Sequence, residues 1–199
     1  MIAIIDYKAG NAPSVLHAIK HLGHSAVLAK SAADLTAASH IILPGVGSAK
    51  ATMVSLEEMG IQGALEDAVL QRKVPFLGIC VGMQVLFEHS EEEDATCLGW
   101  LGGKVVRYDC AQVRVPQMGW NEVRFVKDSR CKASDGHFYF VNSYYAKPAD
   151  ESDTWGVTDY NGSFTSAVNR GNIYGTQFHV EKSAKAGLAL LDAFLLEDR

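Results

Sequence analysis

An α/β fold is predicted for this chain of 199 residues: an open, mostly parallel sheet flanked by helices, with antiparallel or mixed strands added in the second half. Three observations predict it. From Ile2 to Phe87, apolar runs of strand length alternate with amphipathic stretches, the pattern of a parallel, doubly wound sheet. Beyond residue 100 the runs become short and rich in β-branched and aromatic residues with no helical stretch between them, so they pair as hairpins. Finally, one apolar run, from Val74, breaks at Cys80 between Gly78 and Gly82 and resumes with helical spacing at Met83, Leu86 and Phe87, which reads as strand, sharp turn, helix.

The elements follow in order. Ile2-Ala3-Ile4-Ile5 is a continuous apolar run, as expected for a strand covered on both faces. After a turn over residues 6–11, Asn11 is the expected N-cap of a helix over 12–22, with Pro13 in its first turn and Gly23 ending it. The turn lacks a G-x-G-x-x-G fingerprint, which disfavours a dinucleotide site. His17, His21 and His24 have no acidic third ligand nearby and no H-E-x-x-H, so they read as a solvated helix face and not as a metal site. Residues 25–28 form a second strand, a small Ala-rich helix follows, and residues 40–43 make a third strand. Helical patterning then runs through Met53, Leu56, Met59, Ile61, Leu65, Val69 and Leu70. The acidic run 91–94 reads as a solvated loop. Strands are expected over 104–108, 113–115, 121–126, 138–141, 155–160, 164–169 and 172–177, with Asn161-Gly162 as a type I′ turn. A last helix, about 183–195, carries Ala186, Leu190, Ala193 and Phe194 as its apolar stripe. No Pro/Ser-rich linker or internal repeat interrupts the chain, so one domain over 1–199 is expected.

Composition narrows the function. A net charge of -5 gives no electrostatic footprint for nucleic acid or an anionic membrane. No stretch reaches the ~20 apolar residues of a spanning helix, and the start has no basic region preceding an apolar signal segment. The four cysteines, Cys80, Cys97, Cys110 and Cys131, form no C-x-x-C pair, which speaks against zinc and fits a reducing, cytoplasmic setting.

Three segments carry chemistry. Gly78-Ile79-Cys80-Val81-Gly82 has the form of a nucleophile elbow: the turn residue is strained, its neighbours must be small, and the following helix presents its positive end to the thiol. Pro44-Gly45-Val46-Gly47 ends another strand at the sheet edge where open α/β folds bind ligands, either as a glycine-rich turn or as a loop of backbone N–H donors for an oxyanion. In Gln177-Phe178-His179-Val180-Glu181-Lys182, extended backbone would project His179 and Glu181 to one side, a base with its orienting carboxylate. Together they supply nucleophile, base, orienter and oxyanion donors.

These three segments resemble the signatures of class I glutamine amidotransferases. Within that group Asp6-Tyr7 with Gly10-Asn11, Val115-Pro116-Gln117-Met118-Gly119-Trp120-Asn121, and Tyr139-Phe140-Val141 with Ser143-Tyr144 resemble the glutaminase subunits of imidazole glycerol phosphate synthases. The likeness spans the chain and departs at three places: Val180 where proline is usual, Lys8 where glycine is frequent, and Asn142 where histidine is common.

The resemblance implies glutamine hydrolysis by a Cys80, His179 and Glu181 triad through a γ-glutamyl thioester, without cofactor or metal. Backbone N–H groups of Val81 and of the loop at Val46 and Gly47 would hold the oxyanion. Gln84, Ser143 and Tyr144 would hold glutamine; spacing alone puts Gln84 one turn beyond Cys80. The implied partner is a (β/α)₈-barrel cyclase that receives the ammonia and makes imidazole glycerol phosphate and AICAR in histidine biosynthesis. Asn11, Trp120, Asn121, Tyr139 and Lys182 are expected to face it, although Trp120 could equally pack in the core. Two rivals stay open: the amidotransferase subunit of another pathway, such as that of pyridoxal phosphate synthase, disfavoured by Pro116 to Asn121, and a catalytically silent α/β module, disfavoured by the intact triad.

Overall fold

A computed structural model describes residues 1–8 and 11–197; Ala9 and Gly10, inside the expected first turn, lie outside the described residues, as do Asp198 and Arg199. The first half runs β1 (Ile2–Ile5), α1 (Ala12–His21), β2 (Ala26–Ala29), β3 (His40–Gly45), α2 (Ala49–Glu58), α3 (Gln62–Glu66), β4 (Phe76–Cys80) and α4 (Val81–Gln84). A single 3₁₀ turn, Ala32–Leu35, takes the place of the Ala-rich helix, and a π turn over Asp67–Gln71 extends α3. The second half adds β5 (His89–Ser90), β6 (Ala95–Thr96), β7 (Gly103–Arg107), β8 (Gln117–Phe125), β9 (Gly136–Asn142), β10 (Tyr144–Pro148), β11 (Thr154–Asp159), β12 (Ser163–Arg170), β13 (Ile173–Thr176) and α5 (Ala184–Leu195).

All the strands join one hydrogen-bonded sheet. Its parallel part has the order β2-β1-β3-β4-β13, and every residue of β1, β3, β4 and β13 is buried, as expected for strands covered on both faces. Antiparallel β12 continues the sheet from β13, and β8, β9 and β11 branch from it. Among the described residues no helix is long and apolar enough to cross a membrane.

Several expectations need correction. The last strand belongs to the parallel core: β13 reverses from β12 as a hairpin but lies parallel to β4, with Gly175 opposite Gly78 and Thr176 opposite Ile79. The helix after Cys80 is one turn long, because the carbonyls of Val85, Leu86 and Phe87 accept from Leu98, Leu101 and Gly99 instead of continuing the helix. So short a helix contributes little dipole at Cys80. Residues 113–115 are not a strand; Val113 and Val115 pack half-buried against the core from a loop. β10 follows β9 across Ser143 and pairs with β7, with no Gly or Pro to announce the break. Asn161 and Gly162 both have positive φ, 56° and 128°, but in a three-residue loop between the paired Asp159 and Ser163, not a two-residue type I′ turn.

At the other end of the chain, the buried stripe of α5 is Gly187, Leu190, Leu191, Phe194 and Leu195, while Ala186 and Ala193 are half-buried. His17 and His21 are exposed as expected, whereas His24 bonds Asp192 at 2.9 Å.

Candidate active site

The loops after β1, β3, β4 and β13 all leave the same carboxyl edge of the parallel sheet, where ligands settle in open α/β folds. Cys80 sits there with φ 56° and ψ -111°, the left-handed strain of an elbow. The turn closes only because glycines meet face to face. A Cβ on Gly82 would lie 1.9 Å from the Leu43 carbonyl oxygen, and one on Gly78 would lie 2.3 Å from that of Gly82. A Cβ on Gly45 would lie 2.6 Å from the Gly82 nitrogen, so the Val46 loop is pressed against the elbow.

His179 and Glu181 do meet, but not through strand alternation. His179 ends the extended segment, and Val180–Lys182 is a 3₁₀ turn that swings Glu181 back beneath the ring, with Val180 buried. His179 Nδ1 lies 2.8 Å from Glu181 Oε1, and both side chains are nearly solvent-free. β9 fixes the segment: the His179 N–H donates to the Tyr139 carbonyl at 2.9 Å, and the Ser183 hydroxyl donates to the His179 carbonyl at 2.6 Å.

The Cys80 sulfur acts on the imidazole electrostatically from across the site. Burial alone would lower the His179 pKa, but the interactions with Cys80 and Glu181 overcome it and raise it to about 10. For Glu181 burial pulls upward, and hydrogen bonds from His179 and Asn11 hold its carboxyl below the ordinary range. Linkage gives the sign. The raised His179 pKa stabilises the fold fully below its ordinary value of 6.5, and that contribution is lost as pH climbs through about 10. Glu181 acts oppositely, its contribution being lost as acid protonates it. The melting-temperature gap between the wild-type chain and His179→Gln is therefore expected to shrink between about pH 6.5 and pH 10; a gap constant across that window would contradict the assignment.

A cavity of about 320 Å³ opens beside these groups, lined in part by Val46, Gly47, Cys80, Val81, Gln84 and His179. Ser143 and Tyr144 line it as expected, and so do Pro116, Lys182 and Glu92. Sequence reading missed Glu92 by treating 91–94 as a solvated loop. Here Glu92 accepts from the Ala49 N–H and Glu93 from the Ser48 hydroxyl, each at 3.2 Å, which anchors the acidic turn to the start of α2. No local signal marks such a residue, because only the β5–β6 turn brings it to the pocket.

Asn142, in the place where histidine is common, is buried; its Nδ2 donates to the Tyr144 carbonyl at 2.9 Å and the Tyr108 hydroxyl at 3.2 Å, which holds the Ser143-Tyr144 backbone at the wall. Lys8 has φ 67°, which explains why a glycine suits that position.

The five residues expected at an interface separate into two sets. Trp120 is 54% exposed, which excludes core packing, and it meets the Tyr139 ring edge-on at 6.0 Å; Lys182 is exposed at the pocket rim. Asn121 instead donates to the Asp159 carbonyl at 2.8 Å. Asn11 occupies the cap position of α1 but makes no side-chain cap bond; its Nδ2 donates to Glu181 Oε1 at 2.7 Å. Among the described residues no group of His, Cys, Asp and Glu is arranged to hold a metal ion.

Comparison with known proteins identifies the family. The chain belongs to the class-I glutamine amidotransferase family, whose model matches residues 3–197. Within that family, relatives that match nearly the whole chain are named as subunits of imidazole glycerol phosphate synthase. Imidazole glycerol phosphate synthase subunit HisH of Leptospira interrogans is 43% identical over 98% of both chains. HisH 2 of Methanococcus maripaludis is 41% identical over the same shares. A crystal structure of a glutamine amidotransferase superposes with a TM-score of 0.79 at 19% identity, over 98% of this chain and 96% of the other, and shows the shared fold.

Proposed function

We propose that this chain, acting as one catalytic domain, is the glutaminase subunit of an imidazole glycerol phosphate synthase. Family membership and the HisH relatives support glutamine amidotransferase chemistry serving histidine biosynthesis. The single observation that carries the chemical reading is that Cys80 and His179 line one cavity, with His179 bonded to the buried Glu181 and its pKa raised by Cys80 and Glu181.

In this reading the Cys80 thiolate attacks the side-chain amide carbon of glutamine, and the tetrahedral oxyanion is held by the Val81 N–H and by one from Val46 or Gly47. The imidazolium of His179 protonates the leaving amine, so ammonia departs and a γ-glutamyl thioester remains. His179, now neutral and still oriented by Glu181, takes a proton from water as the water attacks the thioester; glutamate leaves and the sulfur is regenerated. Gln84 and the Ser143-Tyr144 backbone position the substrate. Ammonia freed into water would be protonated and lost, so the chain works docked to a (β/α)₈-barrel cyclase that makes imidazole glycerol phosphate and AICAR. Exposed Trp120 with Tyr139 and Lys182 form the docking face nearest the pocket. The test is to mix the chain with such a cyclase and glutamine, follow glutamate release, and search acid-quenched samples for a γ-glutamyl adduct on the Cys80 peptide. An adduct on that peptide is expected; turnover with no acyl group on Cys80 would exclude the mechanism.

Glu92 is the only acidic side chain lining the pocket among the described residues, so it is assigned to the α-ammonium group of glutamine. A charged hydrogen bond of about 2 kcal/mol corresponds to roughly 30-fold, so Glu92→Gln is expected to raise KM by about that factor with kcat little changed. A fall in kcat at unchanged KM would refute this assignment.

A further inference from the structure

Gln177 is fully buried beside the proposed nucleophile, yet neither the triad nor the substrate pocket uses it. It follows β13, and the β13–β4 register, with Thr176 opposite Ile79, carries Gln177 to the level of Cys80. Its Nε2 lies 3.6 Å from the Cys80 sulfur, and its Oε1 accepts from Gln84 Nε2 at 3.0 Å. Gln84 Nε2 also donates to the Tyr144 carbonyl at 3.3 Å.

We propose that Gln177 is a positioning residue that donates an N–H to the Cys80 thiolate and, through its carbonyl, fixes the orientation of the Gln84 amide toward substrate. The polarity of this series is dictated by its ends. The Tyr144 carbonyl only accepts, so Gln84 turns its NH₂ to it and to the Gln177 oxygen, which leaves the Gln177 NH₂ for the sulfur, while the sulfur in turn approaches the Val141 carbonyl at 3.9 Å. The Gln84 oxygen is thereby left as the group offered to the pocket, an acceptor suited to an N–H donor of glutamine and unsuited to a carboxylate in its place. One buried amide thus couples the acceptor presented to substrate to the charge state of the nucleophile. The proposal rests on Cys80 being the nucleophile.

The test reads thiolate reactivity directly. Iodoacetamide labelling of the full chain is followed peptide by peptide, with exposed Cys110 as internal reference, across a pH series. The titratable groups near the sulfur, Tyr7 after β1, His179 after β13, and Glu92 and Lys182 at the rim, stay unchanged in every variant.

Gln177→Met keeps length but removes the donor. Loss of a charge-assisted hydrogen bond is expected to slow Cys80 labelling roughly tenfold at neutral pH, to move its pH profile upward, and to raise KM for glutamine. Gln177→Glu is nearly isosteric and still accepts from Gln84, so it keeps the packing if the methionine variant does not fold; it places a carboxylate on the sulfur and is expected to slow labelling further. Cys80 labelling within twofold of wild type in either folded variant overturns the proposal. Failure of the underlying reading would look different: glutamine would not protect wild-type Cys80 from labelling, and Cys80→Ala would keep its glutaminase activity.

Discussion

Replacing Cys80 with alanine is expected to lower glutamate release by about 10⁴- to 10⁶-fold, the range seen when the nucleophile of a concerted triad is removed. The substitution is well suited to isolate chemistry from folding. The side chain is 5% exposed and small, alanine lacks only the sulfur, and the contacts that close the elbow are made by Gly45, Gly78 and Gly82. The left-handed backbone at residue 80 costs alanine about what it costs cysteine. The folded variant should still bind glutamine, since Gln84, Glu92 and the Ser143-Tyr144 wall remain. The measurement is glutamate release with the cyclase present, beside glutamine binding by calorimetry. Turnover within tenfold of wild type would remove Cys80 from the mechanism, and lost binding would show that the substitution had disturbed the pocket.

The second large effect concerns the partner. The free chain is expected to hydrolyse glutamine about 10²- to 10³-fold more slowly than the complex, the cost of one missing oxyanion donor. The Val46 N–H lies near enough to the Tyr7 hydroxyl to lower its pKa slightly, and we expect this peptide to reorient before it can serve an oxyanion beside Cys80. Burial is the main reason the Tyr7 pKa is raised, so the hydroxyl stays protonated and also approaches Thr52 Oγ1 at 3.4 Å. Gly47, at φ 93°, has the conformational freedom that a rotation of the adjoining peptide would need. Glutamate release measured with and without the cyclase decides the matter; a free chain already at the complexed rate would mean that the loop needs no rearrangement.

Much of the candidate site is legible in the sequence. Cys80 between two glycines, the Gly45-Val46-Gly47 loop and the His179-x-Glu181 spacing are short-range patterns, and each was found at the carboxyl edge of the sheet. The parallel strands were legible for a similar reason, since burial on both faces writes itself as continuous apolar runs such as Ile2-Ala3-Ile4-Ile5. Sequence and structure diverge where local pattern and long-range bonding compete. Leu86 and Phe87 have helical spacing, yet their carbonyls are taken by residues 99–101, so the helix stops. Asn11 has the chemistry of an N-cap and serves Glu181 instead, 170 positions along the chain. Glu92 and Gln177 carry no motif of their own.

The amino-acid sequence by itself determined the chemistry this protein holds and the alternation that lays it at strand ends, because nucleophile strain, glycine clearance and hydrophobic period are properties of neighbouring residues. Tertiary structure alone decided which of these groups share a pocket. β13 enters the parallel core beside β4, and that one register brings Gln177 and His179 to Cys80. Nothing local encodes it, since a strand's neighbour is chosen by the burial and hydrogen bonding of the whole sheet.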